Sequence, residues 1–248
     1  MWLQQTSEPM GWLARLVRAP FRMVPGDRPV RVLSGPLRGA AWLPRSATHG
    51  CWLGTYERRT QRLFSRQLSP GDVVFDVGAH VGFYSLLASR LAGPQGRVVA
   101  FEPLPRNVEL LERHVACNGA SNVLVVRAAV GERTGQERFD DKGDPSMGAL
   151  AAEGELVDLV CIDDLVEEGK VPPPRLVKID VEGAESRVLE GAAATLAKHR
   201  PAVLLAAHGW KQWSECSRRL TDLGYSVRLV RDGAADGNYT LFAAGAPP

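Results

Sequence analysis

No stretch of this chain approaches the ~18 to 20 apolar residues that a membrane-crossing helix needs. The N-terminus also lacks the basic start, apolar core and small-residue cleavage site of a secretory signal. A protein that stays in the cytoplasm is therefore expected. Cysteine is scarce and scattered: Cys51, Cys117, Cys161 and Cys216 include no CxxC pair. That argues against a zinc ribbon or dithiol redox centre and for reduced thiols. Low-complexity tracts and internal repeats are missing too. With 45% apolar and 23% charged residues in a chain of 248, what is left is one large folded domain with room for a small N-terminal addition.

Acidic residues are rare only at the front. Residues 1–70 hold 11 Lys/Arg against 3 Asp/Glu, while the remainder holds 19 against 25. An acidic body disfavours nucleic acid as a partner, because phosphate backbones are held by basic surface. Within the basic end, residues 11–24 (GWLARLVRAPFRMV) put Trp12, Leu13, Leu16 and Val17 near one helical face, with Arg15, Arg18 and Arg22 supplying charge. Such a segment can touch a membrane peripherally or pack on its own domain, and Pro20 limits its length. Residues 1–60 are read as a basic N-terminal extension, a cap or substrate-side element, and 61–248 as the main domain. Oligomeric state leaves no mark on the sequence.

From Val73 onward the pattern alternates. The runs 73–77, 97–102 and 122–126 read as strands. Residues 82–92 and 105–117 read as helices, the first stopped by Gly93-Pro94, the second opened by Pro105 and closed by Gly119. Between Arg127 and Leu156 the pattern blurs, as a loop or hairpin insertion would, and LVDLVCI (156–162) reads as an edge strand. Then come a strand at 175–180, a helix over 184–198, the strand PAVLLAAH, a helix over 210–223, and two closing strands separated by a polar turn. Strands alternating with helices predict an α/β fold: a doubly wound, mostly parallel sheet, helices on both faces, with an antiparallel pair at the C-terminal end.

In such sheets ligands bind beyond the carboxyl ends of the strands. The first strand ends in Asp76 and runs into DVGAHVG, and the second ends at Glu102, 26 residues after Asp76. A carboxylate there suits a ribose diol, since it accepts hydrogen bonds from both hydroxyls. An NAD-dependent oxidoreductase is one reading, but its GxGxxG turn is absent. Gly78-x-x-x-Gly82 follows a carboxylate, which would repel a pyrophosphate. A cationic nucleoside without phosphate, S-adenosylmethionine, fits that charge pattern better. A non-catalytic cofactor- or glycan-binding protein on the same fold is a further reading.

The stretch FDVGAHVGFYSLLASRLAGPQGRVVAFEPLPRNVELLERHV, followed by LVKIDVEGAESRVLEGA, resembles the FkbM family of S-adenosylmethionine-dependent methyltransferases. The likeness runs from about Trp52 to His208. It implies a class I methyltransferase (Rossmann-like) fold with a seven-stranded sheet, 61–248 as the cofactor-binding domain, and O-methylation of a hydroxyl on a sugar, glycolipid or secondary metabolite. By position it implies a cofactor turn of Asp76, Gly78, Ala79 and Gly82. Glu102 would hold the ribose with Pro103 and Asn107 beside it, and Ala128 and Ala129 would sit near the adenine. LGTYE upstream also looks like the family, so Tyr56 and Glu57 are expected to close over the cofactor.

KIDVEGAE sets Lys178, Asp180, Glu182 and Glu185 at a strand end and helix start, the ligand edge of the sheet. Asp180 is the first choice to face the methyl group and the acceptor. Lys178 shares its strand face by parity and can orient the acceptor oxygen. His208, ending the next strand, is a candidate general base because its unperturbed pKa is near ~6.5, and Glu182 is an alternative. Asp180, Glu182 and Glu185 could also bind Mg²⁺, which prefers oxygen ligands. That reading is not favoured, since Lys178 already supplies positive charge. Many relatives carry a glutamate before the histidine, where this chain has Ala206-Ala207. The acceptor, a small molecule or glycan, is not named by the sequence. Its specificity is expected to lie in residues 1–60 and 131–155.

Overall fold

The computed structural model describes residues 28–140, 149–150, 154–231 and 237–245. The amphipathic reading of 11–24 lies outside the described residues. Strands β1 (Val30–Arg31) and β2 (Ala41–Trp42) pair antiparallel, and helices α1 (His49–Leu53) and α2 (Arg58–Ser65) follow. The alternation then begins with β3 (Val73–Val77), α3 (Phe83–Ala92), β4 (Arg97–Phe101), α4 (Pro105–Asn118) and β5 (Val123–Val126). Four short strands come next: β6 (Ala129–Val130), β7 (Gly135–Asp140), β8 (Ala149–Leu150) and β9 (Glu155–Val160). The chain continues through α5 (Ile162–Glu167), β10 (Leu176–Ile179), α6 (Glu185–Glu190), α7 (Ala193–His199) and β11 (Ala202–His208). It closes with α8 (Trp210–Asp222), β12 (Tyr225–Arg231) and β13 (Asn238–Gly245).

Seven strands form the main sheet in the order β12-β13-β11-β10-β3-β4-β5. The five from β11 to β5 are parallel, while β13 runs antiparallel to both its neighbours. This is the expected class I methyltransferase arrangement. The order reverses between β3 and β10, so the crevice at their carboxyl ends is where a ligand belongs.

Strand parity divides the core into two layers. Phe75, Val77, Val177, Ile179, Val203 and Leu205 point to the side covered by Val188, Leu189, Leu196 and Leu220. Val74, Val98, Leu176 and Leu204 point the other way, onto Phe83, Leu86 and Leu87 of α3 and onto Trp42, Trp52 and Phe64 from the segment before β3. Asp76 and Lys178 share the parity of Val74 and Leu176 and so face α3.

Two expectations are corrected. The blurred segment does hold a hairpin, β7 pairing antiparallel with β8, but the strand at 156–162 is an inner strand and not an edge. β6, β9, β7 and β8 make a separate four-stranded sheet in that order. Only alternate residues of β9, Val157 and Leu159, are buried in it, so the apolar pattern is too short to stand out. The helix read over 184–198 is two, broken at Gly191. A Cβ there would lie 2.0 Å from the Gly131 carbonyl oxygen, so the chain must pass close to the second sheet, a constraint that helical periodicity does not register.

Candidate active site

The turn after β3 is built by close approach. Gly78 has φ of +75°, and a Cβ on it would sit 1.9 Å from the Asp180 carbonyl oxygen, so only glycine lets β3 and β10 end side by side. Gly82 opens α3 and packs against Leu111 of α4. Between them the backbone N–H of His80 donates to Glu102 Oε2 at 2.8 Å. The other oxygen, Oε1, accepts from the Leu104 N–H and from Asn107 Nδ2, each at 3.1 Å. Burial pushes the Glu102 carboxyl above the usual carboxylate range, against the hydrogen bonds from Asn107, Leu104 and His80. A charge still under-compensated in this way is suited to further hydroxyl donors from a ligand.

Asp76 sits deeper. It is fully buried. Its Oδ2 accepts from Ser85 Oγ of α3 at 2.6 Å, and its Oδ1 lies 3.3 Å from Lys178 Nζ. Lys178 Nζ also donates to the Gly78 carbonyl at 3.0 Å, lies 3.5 Å from Asp180 Oδ2, and hangs 5.5 Å from the Tyr84 ring centroid. Burial alone would lower the lysine pKa, but Asp76, Asp180 and Glu57 together raise it, so it stays an ammonium. One cation thus ties the β3 tip, the glycine turn and the β10 tip together.

At the end of β11, His208 is held by carboxylates. Its Nδ1 is 2.7 Å from Oε1 of Glu185, itself fully buried. Its Nε2 faces Glu182 Oε1 at 3.3 Å and Asp180 Oδ1 at 3.6 Å. Burial disfavours the imidazolium, but the Glu185 hydrogen bond and the charges of Asp180, Glu185 and Glu182 outweigh it and lift the pKa to about 9. Glu182 adopts φ of +52°, sparsely populated for a non-glycine residue, and burial raises its carboxyl pKa.

These groups border two adjoining cavities. The first is lined by Gly78, Ala79, Glu102, Pro103, Ala128 and Ala129, with Thr48, Phe139 and Tyr84 added by the fold. The second is lined by Glu57, Arg58, Arg59, His208 and Tyr239. Tyr56, Asp180 and Glu182 line both, and Lys178 lines the first. Of the residues read from sequence, Asp76, Gly82 and Asn107 line neither, and act from behind by pairing, packing and bonding to Glu102. Glu57 accepts a hydrogen bond from Tyr84 at 2.7 Å and borders the second cavity instead of the first.

Sequence reasoning missed Ser85, Tyr84 and Phe139, and took Glu185 only as a helix-start or metal carboxylate. A serine among the apolar residues of the first turns of α3 was a usable signal. For Phe139 there was none, because it arrives from the second sheet. Ligand atoms of Asp180, Glu182 and His208 lie within 4.8 Å of one another, close enough to share a divalent cation.

Comparison with known proteins gives concordant results. The family model described as the methyltransferase FkbM domain matches residues 76–227. The hexuronic acid methyltransferase AglP of Haloferax volcanii is 31% identical, over 54% of this chain and 56% of that protein. The 31-O-demethyl-FK506 methyltransferase FkbM of Streptomyces tacrolimicus is 30% identical, over 53% of this chain and 65% of that protein. The chain thus spans between about half and two-thirds of these relatives. Among solved structures, the methyltransferase FkbM of Methylobacillus flagellatus KT superposes with a TM-score of 0.54 at 19% identity, over 81% of this chain and 56% of that one. An S-adenosylmethionine-dependent O-methyltransferase of Thermotoga maritima gives 0.53 at 14% identity, over 78% of this chain and 66% of that one. At those identities the structures speak to the fold alone.

Proposed function

This chain belongs to the FkbM methyltransferase family, and from that premise we propose that it is an S-adenosylmethionine-dependent O-methyltransferase acting on a hydroxyl of a sugar, glycolipid or secondary metabolite. The observation that carries the reading is the meeting of the two cavities at Asp180, Glu182 and Tyr56. One contains a carboxylate suited to a ribose diol, the other a histidine with carboxylate partners. The first fits the cofactor in chemistry: Glu102 for the hydroxyls, small Ala79, Ala128 and Ala129 with apolar Phe101, Leu104 and Phe139 for the base, and Asp180 and Glu182 toward a cationic centre. When bound there, S-adenosylmethionine supplies a methyl group already activated on sulfonium.

The protein then has to align the acceptor oxygen and take its proton. Asp180 stands where the cavities join, pinned by Lys178 on one side and facing His208 on the other. It orients the acceptor hydroxyl toward the first cavity. His208 Nε2, the ring nitrogen not engaged by Glu185, accepts the hydroxyl proton as the new O–C bond forms.

Calorimetry with S-adenosylhomocysteine tests the cofactor assignment. Wild type should bind it, and Glu102→Ala should weaken binding about 100-fold, the loss expected for two hydrogen bonds to a charged group. Asn107→Ala, which removes one donor to Glu102 and nothing from the cavity wall, should weaken it about tenfold or less. Unchanged affinity in Glu102→Ala would refute the ribose role.

We favour chemistry without a metal, because Lys178 already places a positive charge 3.5 Å from Asp180. Turnover should survive EDTA undiminished. Loss of activity that Mg²⁺ restores would move Asp180, Glu182 and His208 from proton transfer to cation binding.

A further inference from the structure

Between residues 28 and 70 the chain holds eight arginines and one carboxylate, Glu57. Four of those arginines lie on α2. Arg58, Arg59, Arg62 and Arg66 are all exposed, and their spacing of i, i+1, i+4 and i+8 confines them to about 100° of the helix surface. The opposite face is buried through Gln61 and Phe64. The stripe runs about 12 Å, from the rim of the second cavity, which Arg58 and Arg59 line, to the helix C-cap at Arg66.

Helix chemistry does not account for this stripe. Arg58 and Arg59 occupy the first turn, where the macrodipole disfavours cations, and no acid shares that turn. Arg58 with Arg62, and Arg62 with Arg66, are like-charged i,i+4 pairs, which repel. None of the four forms an ion pair among the described residues, whereas Arg127, Arg187, Arg218 and Arg219 all do. Glu57, the acid next in sequence, is engaged by the Tyr84 hydroxyl. Guanidinium groups held side by side against their own repulsion call for an anionic partner outside the chain.

From this stripe we propose that the protein docks on an anionic membrane surface through α2. The proposal goes beyond the methyltransferase reading and does not depend on it. Charge alone would also suit a nucleic acid, but apolar groups alongside favour lipid. Leu33 is 58% exposed, and its loop is tied to α1: the Leu33 N–H donates to the Trp52 carbonyl at 2.8 Å, and Ser34 Oγ to the Leu53 carbonyl at 2.6 Å. In sequence, residues 11–24 add Trp12, Leu13, Leu16 and Val17 to Arg15, Arg18 and Arg22. Basic residues with apolar neighbours are what a headgroup layer rewards, while a phosphate backbone rewards the charge alone. No described helix is long and apolar enough to cross a membrane, so the contact is with the surface. Docked this way, the rim of the second cavity at Arg58 and Arg59 meets the lipid headgroups.

The test is cosedimentation of the full chain with vesicles of phosphatidylcholine, alone or with about 30% phosphatidylserine, at about 0.1 M salt. The protein should bind the anionic vesicles and not the neutral ones. Salt at about 1 M should release it, because the Debye length falls to about 3 Å. Arg62→Gln/Arg66→Gln removes two charges that line neither cavity. It should weaken vesicle binding about thirtyfold, the loss expected for two charges near such a surface, with thermal unfolding unchanged. Arg62→Lys/Arg66→Lys keeps both charges and should bind as wild type does. Equal binding to both vesicle types, or unchanged binding by the glutamine variant, overturns the proposal. It also fails if the lysine variant loses as much as the glutamine variant, since charge would then not set the contact. Release from the vesicles by an equal charge of DNA duplex would overturn it too, and make the stripe a nucleic-acid surface. Vesicle binding is read without cofactor or turnover, so this inference and the methyltransferase reading can each fail alone.

Discussion

Replacing His208 with alanine should lower kcat about a thousandfold while leaving S-adenosylhomocysteine affinity unchanged, the loss expected when a positioned general base is removed. The split is the informative part, because His208 borders the second cavity and not the first. A fall in kcat with intact cofactor binding places its role in the transfer. A parallel loss of both would mean that the ring only holds Asp180 and Glu182 in place. Glu182→Gln offers the complementary check. If that carboxylate were the base, its variant and not His208→Ala would carry the thousandfold loss.

The carboxylates around His208 give the reaction a pH signature. With its pKa lifted to about 9, the imidazole of the free protein carries a proton at neutral pH and must lose it to act as a base. The logarithm of kcat/KM should therefore climb with pH and level off near 9. Glu185→Gln removes the strongest partner, so the plateau should arrive at lower pH, a change that a merely structural Glu185 would not produce. Stability moves the opposite way. A folded-state pKa above the unfolded value near 6.5 favours the protonated fold. The His208 contribution is thus complete below about pH 6.5 and is lost as pH rises through 9.

The sequence makes the strand tips legible because each requirement there is local. Glycine is needed where backbone approaches backbone, and a carboxylate at a buried strand end needs a partner. Hence Gly78, Glu102 and Asp180 stood out before any contact was known. The sequence could not say which partner each carboxylate has. Asp76 looked as exposed to a ligand as Glu102, yet strand parity turns it toward Ser85 and Lys178. Glu185 looked like a helix-start charge, and only the pairing of β10 with β11 brings it to His208. The second sheet escaped notice for a related reason. Its strands are short and half exposed, and its order β6-β9-β7-β8 is set by pairing between strands apart in sequence, which no single window of sequence displays.

Substituting Lys178 with methionine should be the most damaging change to the fold, lowering stability by about 3–5 kcal/mol. Methionine keeps the apolar stem, so packing is nearly conserved, and the effect comes from charge. Asp76 would remain fully buried, and its Oδ1 has no hydrogen-bond partner apart from the ammonium 3.3 Å away. Ser85 would still serve Oδ2, but one hydroxyl cannot offset an unpaired interior carboxylate. The control is the double variant Lys178→Met/Asp76→Asn, which removes both charges and should recover much of the loss in denaturant unfolding. Failure to recover would mean that Lys178 is held chiefly for Asp180 and the Gly78 carbonyl. In that case the single variant should impair cofactor binding more than stability. Recovery of stability without recovery of turnover would instead show one buried lysine serving both ends. It would neutralise Asp76 to let β3 close against α3, and it would fix Asp180 at the junction of the two cavities.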